Sequence, residues 1–116
     1  MATMGVMLLV AGGVAFAVVQ CGEGTCFGTE AGEVIEGTDT GETIIAFGGN
    51  DEIRGNGGGD VIDGGEGNDN LYGGPGDDNL HGGPDNDYFY GGEGYDKCYG
   101  ESGTDTTDGS CETWVP

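Results

Sequence analysis

The stretch Gly64–His81 reads GGEGNDNLY GGPGDDNLH, two copies of one nine-residue unit. Continued in nines both ways, the frame holds without insertion from Gly28 to Asp108. It gives nine units that begin at Gly28, Gly37, Ala46, Gly55, Gly64, Gly73, Gly82, Gly91 and Gly100. A fixed period over most of a chain outranks local propensity, because every unit must take one shape and bury its face on its neighbours. Two columns define the unit. The sixth place reads Glu33, Glu42, Asp51, Asp60, Asp69, Asp78, Asp87, Asp96, Asp105, an acid in all nine. The eighth reads Ile35, Ile44, Ile53, Ile62, Leu71, Leu80, Phe89, Cys98, Thr107, apolar until the last unit.

Each unit splits into two physical parts. Its last three places, such as Asn70–Tyr72, are a short strand whose middle side chain points inward while its neighbours point out. Its first six places are turn chemistry, with glycines supplying the positive φ that tight loops require. A three-residue strand cannot stand alone, so the reading is an all-β coil of stacked units, a parallel β-roll. With two units per turn, one sheet stacks Ile35, Ile53, Leu71, Phe89 and Thr107 inward, and the facing sheet stacks Ile44, Ile62, Leu80 and Cys98. Such a core is one side chain thick per strand, too thin to outweigh chain entropy unaided.

Stacking also aligns the acids, with Asp51, Asp69, Asp87 and Asp105 on one edge and Asp60, Asp78 and Asp96 on the other. Like charges in adjacent strands repel by several kcal/mol per pair unless neutralised. The composition offers no remedy, since 22 acids face two bases, Arg54 and Lys97, for a formal charge of −20. That balance repels nucleic acid and anionic membranes and attracts cations. A hard divalent ion between successive loops reverses the sign of the repulsion: calcium takes 6–8 oxygens, and glycine loops expose carbonyls beside each carboxylate. The candidate ligands are therefore Asp51, Asp60, Asp69, Asp78, Asp87, Asp96 and Asp105. The carbonyls would come from Gly64, Gly65, Gly67, Gly73, Gly74, Gly76, Gly82, Gly83, Gly91, Gly92 and Gly94.

The units resemble the G-G-x-G-x-D-x-U-x pattern of the RTX, or haemolysin-type, calcium-binding repeats. Its first six places occur in full at Gly64–Asp69, Gly73–Asp78 and Gly91–Asp96, and the resemblance spans residues 28–108. It implies a parallel β-roll with two units per turn and Ca²⁺ held between loops by sixth-place aspartates and loop carbonyls. The C-terminal stretch GYDKCYGESGTDTTDGSCE is also similar to the ends of small secreted members of that group. Six units depart from the pattern: Ala46-Phe47 replace the first two glycines of the third unit, and GESGTD, the last, suits a cap. Asp85 and Asn56 replace glycines, which predicts weaker or distorted sites, and the first two units carry Glu33 and Glu42, whose longer arms fit an Asp loop poorly.

The ends differ from the coil. Met4–Val19 is an apolar run with Ala15-Phe16-Ala17, a small-x-small site for a signal peptidase, although no Lys or Arg precedes it. It is short for a membrane span. Cleavage after Ala17 is the favoured reading over a retained anchor, and Gln20 makes VVQC a poor lipobox. The expected organisation is a leader over 1–17, an N-terminal cap over 18–27, the repeat coil over 28–108 and a C-terminal cap over 109–116. Four cysteines fit an oxidising, extracellular compartment. The simplest pairing is Cys21–Cys26 and Cys98–Cys111, with the other two pairings left open by sequence. A zinc site has the wrong spacing and one histidine, His81. An EF-hand lacks its loop. A flexible linker accounts for the glycine but for neither column.

No nucleophile–base pair stands out, so the chain reads as a non-enzyme without a small-molecule substrate. Tyr72 and Tyr90, with His81 and Tyr99 on the other sheet, form outward rows that suit cross-strand packing. The same rows suit an adhesion module that uses calcium structurally and meets a cell-surface partner.

Overall fold

The computed structural model describes residues 5–11 and 14–116. Among these, thirteen strands and no helix are present, coiled as a parallel β-roll. In chain order they are β1 (Gly5–Ala11), β2 (Val14–Gln20), β3 (Thr25–Phe27), β4 (Glu33–Glu36), β5 (Thr43–Ile45), β6 (Glu52–Arg54) and β7 (Val61–Asp63). Next come β8 (Asn70–Tyr72), β9 (Asn79–Pro84), β10 (Tyr88–Tyr90), β11 (Lys97–Ser102), β12 (Thr106–Thr107) and β13 (Thr113–Val115).

Alternate strands fall into two sheets, ordered β1-β2-β4-β6-β8-β10-β12 and β13-β11-β9-β7-β5-β3. Every pairing is parallel except the β1–β2 hairpin. Ile35 pairs with Ile53, Ile53 with Leu71, and Leu71 with Phe89, so one turn is eighteen residues. The facing column runs Cys26, Ile44, Ile62, Leu80, Cys98. These inward residues are fully buried and, with Ala46, are the apolar filling of the middle turns. The strands need hold only one such residue each, which is why three residues suffice.

Both ends shorten the turn to sixteen residues. Val19 pairs with Ile35, and Trp114 with Cys98. Trp114 meets Phe89 edge-on at 5.2 Å and 64°, closing the C-terminal end of the core. Disulfides pin the same two places, Cys21–Cys26 at one end and Cys98–Cys111 at the other. That settles the pairing the sequence left open. Within the segment read as a leader, residues 1–4, 12 and 13 lie outside the described residues. Val18 and Val19, just past Ala17, are buried on β4.

Within the repeats, β4 is four residues long and β9 and β11 are six, against the expected three. β9 and β11 continue through their loops, pairing Gly83 with Glu101 and Pro84 with Ser102.

Candidate metal centre

Two backbone conformations recur in every loop from Ala46 onward. The second place has positive φ at Phe47, Asn56, Gly65, Gly74, Gly83, Gly92 and Glu101, and the fourth at Gly49, Gly58, Gly67, Gly76, Asp85, Gly94 and Gly103. Alternating left-handed residues fold six residues into a flat turn that stacks on the next. Stacking is close enough to exclude a side chain: a Cβ on Gly83 would lie 2.6 Å from the Gly65 carbonyl, and one on Gly76 would strike the Gly58 carbonyl. Asn56 and Asp85 hold the left-handed conformation at φ 69° and 82°, as Asn and Asp tolerate. Their loops therefore keep the turn shape of the glycine units. Asn56 Nδ2 donates to the Gly37 carbonyl at 2.9 Å, and Asp85 Oδ2 accepts the Gly67 N–H at 3.1 Å.

The acid that ends each loop is buried. Asp51, Asp60, Asp69, Asp78, Asp87 and Asp96 are each at most 2% exposed. Each gives Oδ1 to the backbone N–H of the acid one turn earlier: Asp69 Oδ1 accepts from Asp51 at 2.8 Å, Asp87 from Asp69 at 2.9 Å, Asp78 from Asp60 at 2.7 Å and Asp96 from Asp78 at 2.8 Å. A carboxylate oxygen thus replaces a carbonyl in the ladder and locks the column in register. The columns close on Asp105, which accepts from Asp87, and on Glu112, whose Oε2 accepts the Asp96 N–H at 2.6 Å.

The second oxygen has no such partner. Oδ2 of all six aspartates is buried without a hydrogen bond. In the five of these loops that open on glycine it sits beside that residue, where a Cβ on Gly64 would meet Asp69 Oδ2 at 2.6 Å and one on Gly91 would meet Asp96 Oδ2 at 2.7 Å. A buried carboxylate oxygen left unpaired costs far more than one in water. Burial accordingly raises the carboxyl pKa to about 6 at Asp51 and Asp78 and to about 7 at Asp60, Asp69 and Asp87, with Asp96 shifted the same way. Neighbouring acids push in that direction too, against the single N–H each oxygen pair receives. The protein supplies no counter-charge: among the described residues, the ion pairs are Arg54 with Glu36 and Glu52, and His81 with Glu101.

Among the described residues no three Asp, Glu, His or Cys side chains converge on a point. Carboxylates alone would not hold a metal here. Backbone oxygens have to complete any coordination, which selects a hard cation of high coordination number over zinc or copper. Unpaired Oδ2 atoms beside carbonyl-lined loops fit calcium. Of the residues expected from sequence, the structure places Asp51, Asp69, Asp87 and Asp105 in one column and Asp60, Asp78 and Asp96 in the other. Glu33 and Glu42 head the columns without unpaired oxygens.

Sequence reading missed three features. Glu112 acts as a further column acid because the last turn is two residues short, which takes it out of the nine-residue frame. Ser110 Oγ accepts the N–H of Gly91 at 2.8 Å and of Gly92 at 3.2 Å, serving the last full loop. The fifth place carries a side-chain ladder, in which Asn50 Oδ1 accepts from Asn68 N–H, Asn68 from Asn86 and Asn86 from Thr104, all at 2.8–2.9 Å. Its signal was an Asn every eighteen residues, visible only once turns rather than units are counted.

Four overlapping stretches, 27–62, 36–71, 45–80 and 72–107, match the RTX calcium-binding nonapeptide repeat. A β-roll of nonapeptides with buried, unpaired aspartate oxygens defines a calcium-binding repeat protein. The chain belongs to the RTX calcium-binding nonapeptide repeat family, whose repeats bind Ca²⁺. No curated protein and no solved structure matches it significantly.

Proposed function

We propose that the chain is an exported, calcium-dependent β-roll whose folding is coupled to Ca²⁺ binding, and that it is not an enzyme. The unpaired, buried Oδ2 of Asp51, Asp60, Asp69, Asp78, Asp87 and Asp96 carries this reading. Each would ligate calcium together with glycine-loop carbonyls, at Gly64, Gly65, Gly67, Gly73, Gly74, Gly76, Gly82, Gly83, Gly91, Gly92 and Gly94 among others. Asp105, half-buried at the end of its column, would complete the last site on that edge. Because the site needs stacked loops, binding free energy is folding free energy.

Export is supported by the apolar run up to Val19, by Ala15-Phe16-Ala17 and by two disulfides. Cleavage after Ala17 would leave Val18 and Val19, which cover the end of the core. Low calcium inside the cell would keep the chain open, and calcium outside would close it. The test is far-UV circular dichroism of the oxidised chain during a calcium titration, with magnesium alongside. A cooperative gain of β signal with calcium alone is expected. Full β signal in chelator would overturn the coupling.

A groove of about 170 Å³ lined by Arg54, Asn56, Tyr72, Gly73, Gly74, Pro75 and Tyr90 favours a second reading, an adhesion module with structural calcium. Tyr72 and Tyr90 pack at 6.1 Å and 45°, and His81 stacks on Tyr99 at 4.8 Å, so both rows also serve packing across strands. Replacing Tyr72 and Tyr90 with Ser would abolish attachment to cells and spare folding if that reading holds.

A further inference from the structure

We infer that the first two loops of the coil, 28–33 and 37–42, take no calcium: a threonine–glutamate latch fills the ion's place, and with the Cys21–Cys26 bridge the two loops form a calcium-independent cap. The inference rests on the calcium reading above and concerns which repeats it covers.

The two loops satisfy their acids internally. Glu33 Oε1 accepts the Thr29 N–H at 2.7 Å and Oε2 accepts the Thr29 hydroxyl at 2.6 Å. Glu42 repeats the arrangement, with Oε1 accepting the Thr38 N–H at 2.7 Å and Oε2 accepting the Thr40 hydroxyl at 2.9 Å and that of Thr38. No oxygen of either glutamate is left unpaired, in contrast to the six aspartates. The extra methylene is what lets each carboxylate fold back onto its own loop. It reaches the space beside the first-place glycine: a Cβ on Gly28 would meet Glu33 Oε1 at 2.8 Å, and one on Gly37 would meet Glu42 Oε1 at 2.7 Å. In the later loops that open on glycine an aspartate Oδ2 lies in that space.

The backbone differs in step with the side chains. Thr29, Ala31, Thr38 and Thr40 occupy the second and fourth places but are absent from the positive-φ residues that mark every later loop. The carbonyls are therefore presented differently, and the calcium-type turn is not built. Threonine belongs here for its hydroxyl, and glutamate for its reach.

The latch also prepares the turns that follow. Glu33 N–H donates to Asp51 Oδ1 at 2.7 Å, and Glu42 N–H donates to Asp60 Oδ1 at 2.8 Å. Each column of calcium-dependent aspartates thus begins on a donor held without an ion. Behind the latches, Val19, Cys21, Cys26, Ile35 and Ile44 make up the N-terminal end of the continuous buried core, tied there by the disulfide. A segment this small commonly needs such a covalent tie to stay ordered.

Amide hydrogen exchange of the full oxidised chain, in chelator and in saturating calcium, tests this. In chelator the amides of Cys21, Thr29, Thr38 and Thr43, whose acceptors lie within the cap, are expected to exchange more slowly than in the reduced chain, by on the order of tenfold or more, while 51–96 gains protection only with calcium. Calcium stoichiometry gives a second arm: E33Q/E42Q should leave the number of bound ions unchanged, whereas D60N and D69N should lower it. T29V/T38V should erase that chelator protection. Protection of those four amides that appears only with calcium, or loss of ions in E33Q/E42Q, overturns the inference and leaves the calcium reading standing. Absence of any calcium response in 51–96 overturns both. The exchange arm needs no variant and decides even if E33Q/E42Q does not fold.

Discussion

A single oxygen atom per loop sets the behaviour of this protein. Each of the six buried column aspartates gives Oδ1 to an N–H and leaves Oδ2 buried and bare, so in the calcium-free coil burial favours the neutral carboxyl. With folded pKa values of about 6 to 7 against an unfolded value near 3.8, the folded state holds more protons. Stability from this source is fully present below about pH 4 and is lost as pH rises through 6 to 7. In chelator, β content should therefore be higher at pH 5 than at pH 7.5, measured by circular dichroism. In calcium the dependence reverses, because protons compete for the same oxygens, and the calcium midpoint should rise as pH falls. A chelated coil that gains structure with rising pH would contradict the burial argument.

The glycines act at this scale too. Gly76, at φ 122° against the Gly58 carbonyl, has no room for a Cβ. Gly76→Ala should cost at least about 1–3 kcal/mol in urea unfolding with calcium present. The acid column and the glycine pattern were legible in sequence because each place repeats. The Thr–Glu latch was not, since Thr29 and Thr38 look like failed glycines until their hydroxyls are seen on Glu33 and Glu42.

Strands of three residues can hold together only by adding to a sheet on both sides. Leu71 lies between Ile53 and Phe89, fully buried, with no second apolar residue in β8 to share its role. Leu71→Ala should lower stability in saturating calcium by about 2–5 kcal/mol, read from the urea midpoint at unchanged slope. An effect below about 1 kcal/mol would mean that the stacked column contributes less than its burial implies. Strand positions followed from the eighth-place column. The continuation of β9 and β11 into their loops did not, because pairing of Gly83 with Glu101 depends on loop shape one turn away. The disulfide pairing was likewise open in sequence and was decided by which cysteines the coil brings together. Cys26 and Cys98 end one inward column, each beside a partner from a terminal turn.

The molecule as a whole carries −20 and concentrates its buried charge in two internal columns. Screening by monovalent salt acts on exposed charges over about 8–10 Å at physiological strength and reaches buried ones weakly. Sodium chloride at 0.5 M in chelator should thus fail to restore the β signal that calcium restores. Magnesium should also fail, since it keeps its waters and demands octahedral geometry that a loop of carbonyls does not offer. Recovery of the signal in salt alone would show that repulsion at the surface, rather than in the columns, opens the coil.

The period of nine, read as residues, determined the fold class, the inward column, the acid column and the class of ion, because a repeated unit has one solution that stacks. Only the tertiary structure decided what happens between turns: that Oδ2 is left bare, that Asn50, Asn68 and Asn86 form a ladder, and that both end turns shorten to sixteen residues. It alone decided that Glu112 closes a column and that the first two loops hold their acids without an ion. Those outcomes depend on contacts eighteen residues apart and on where the periodicity breaks, and a nine-residue pattern is silent on both.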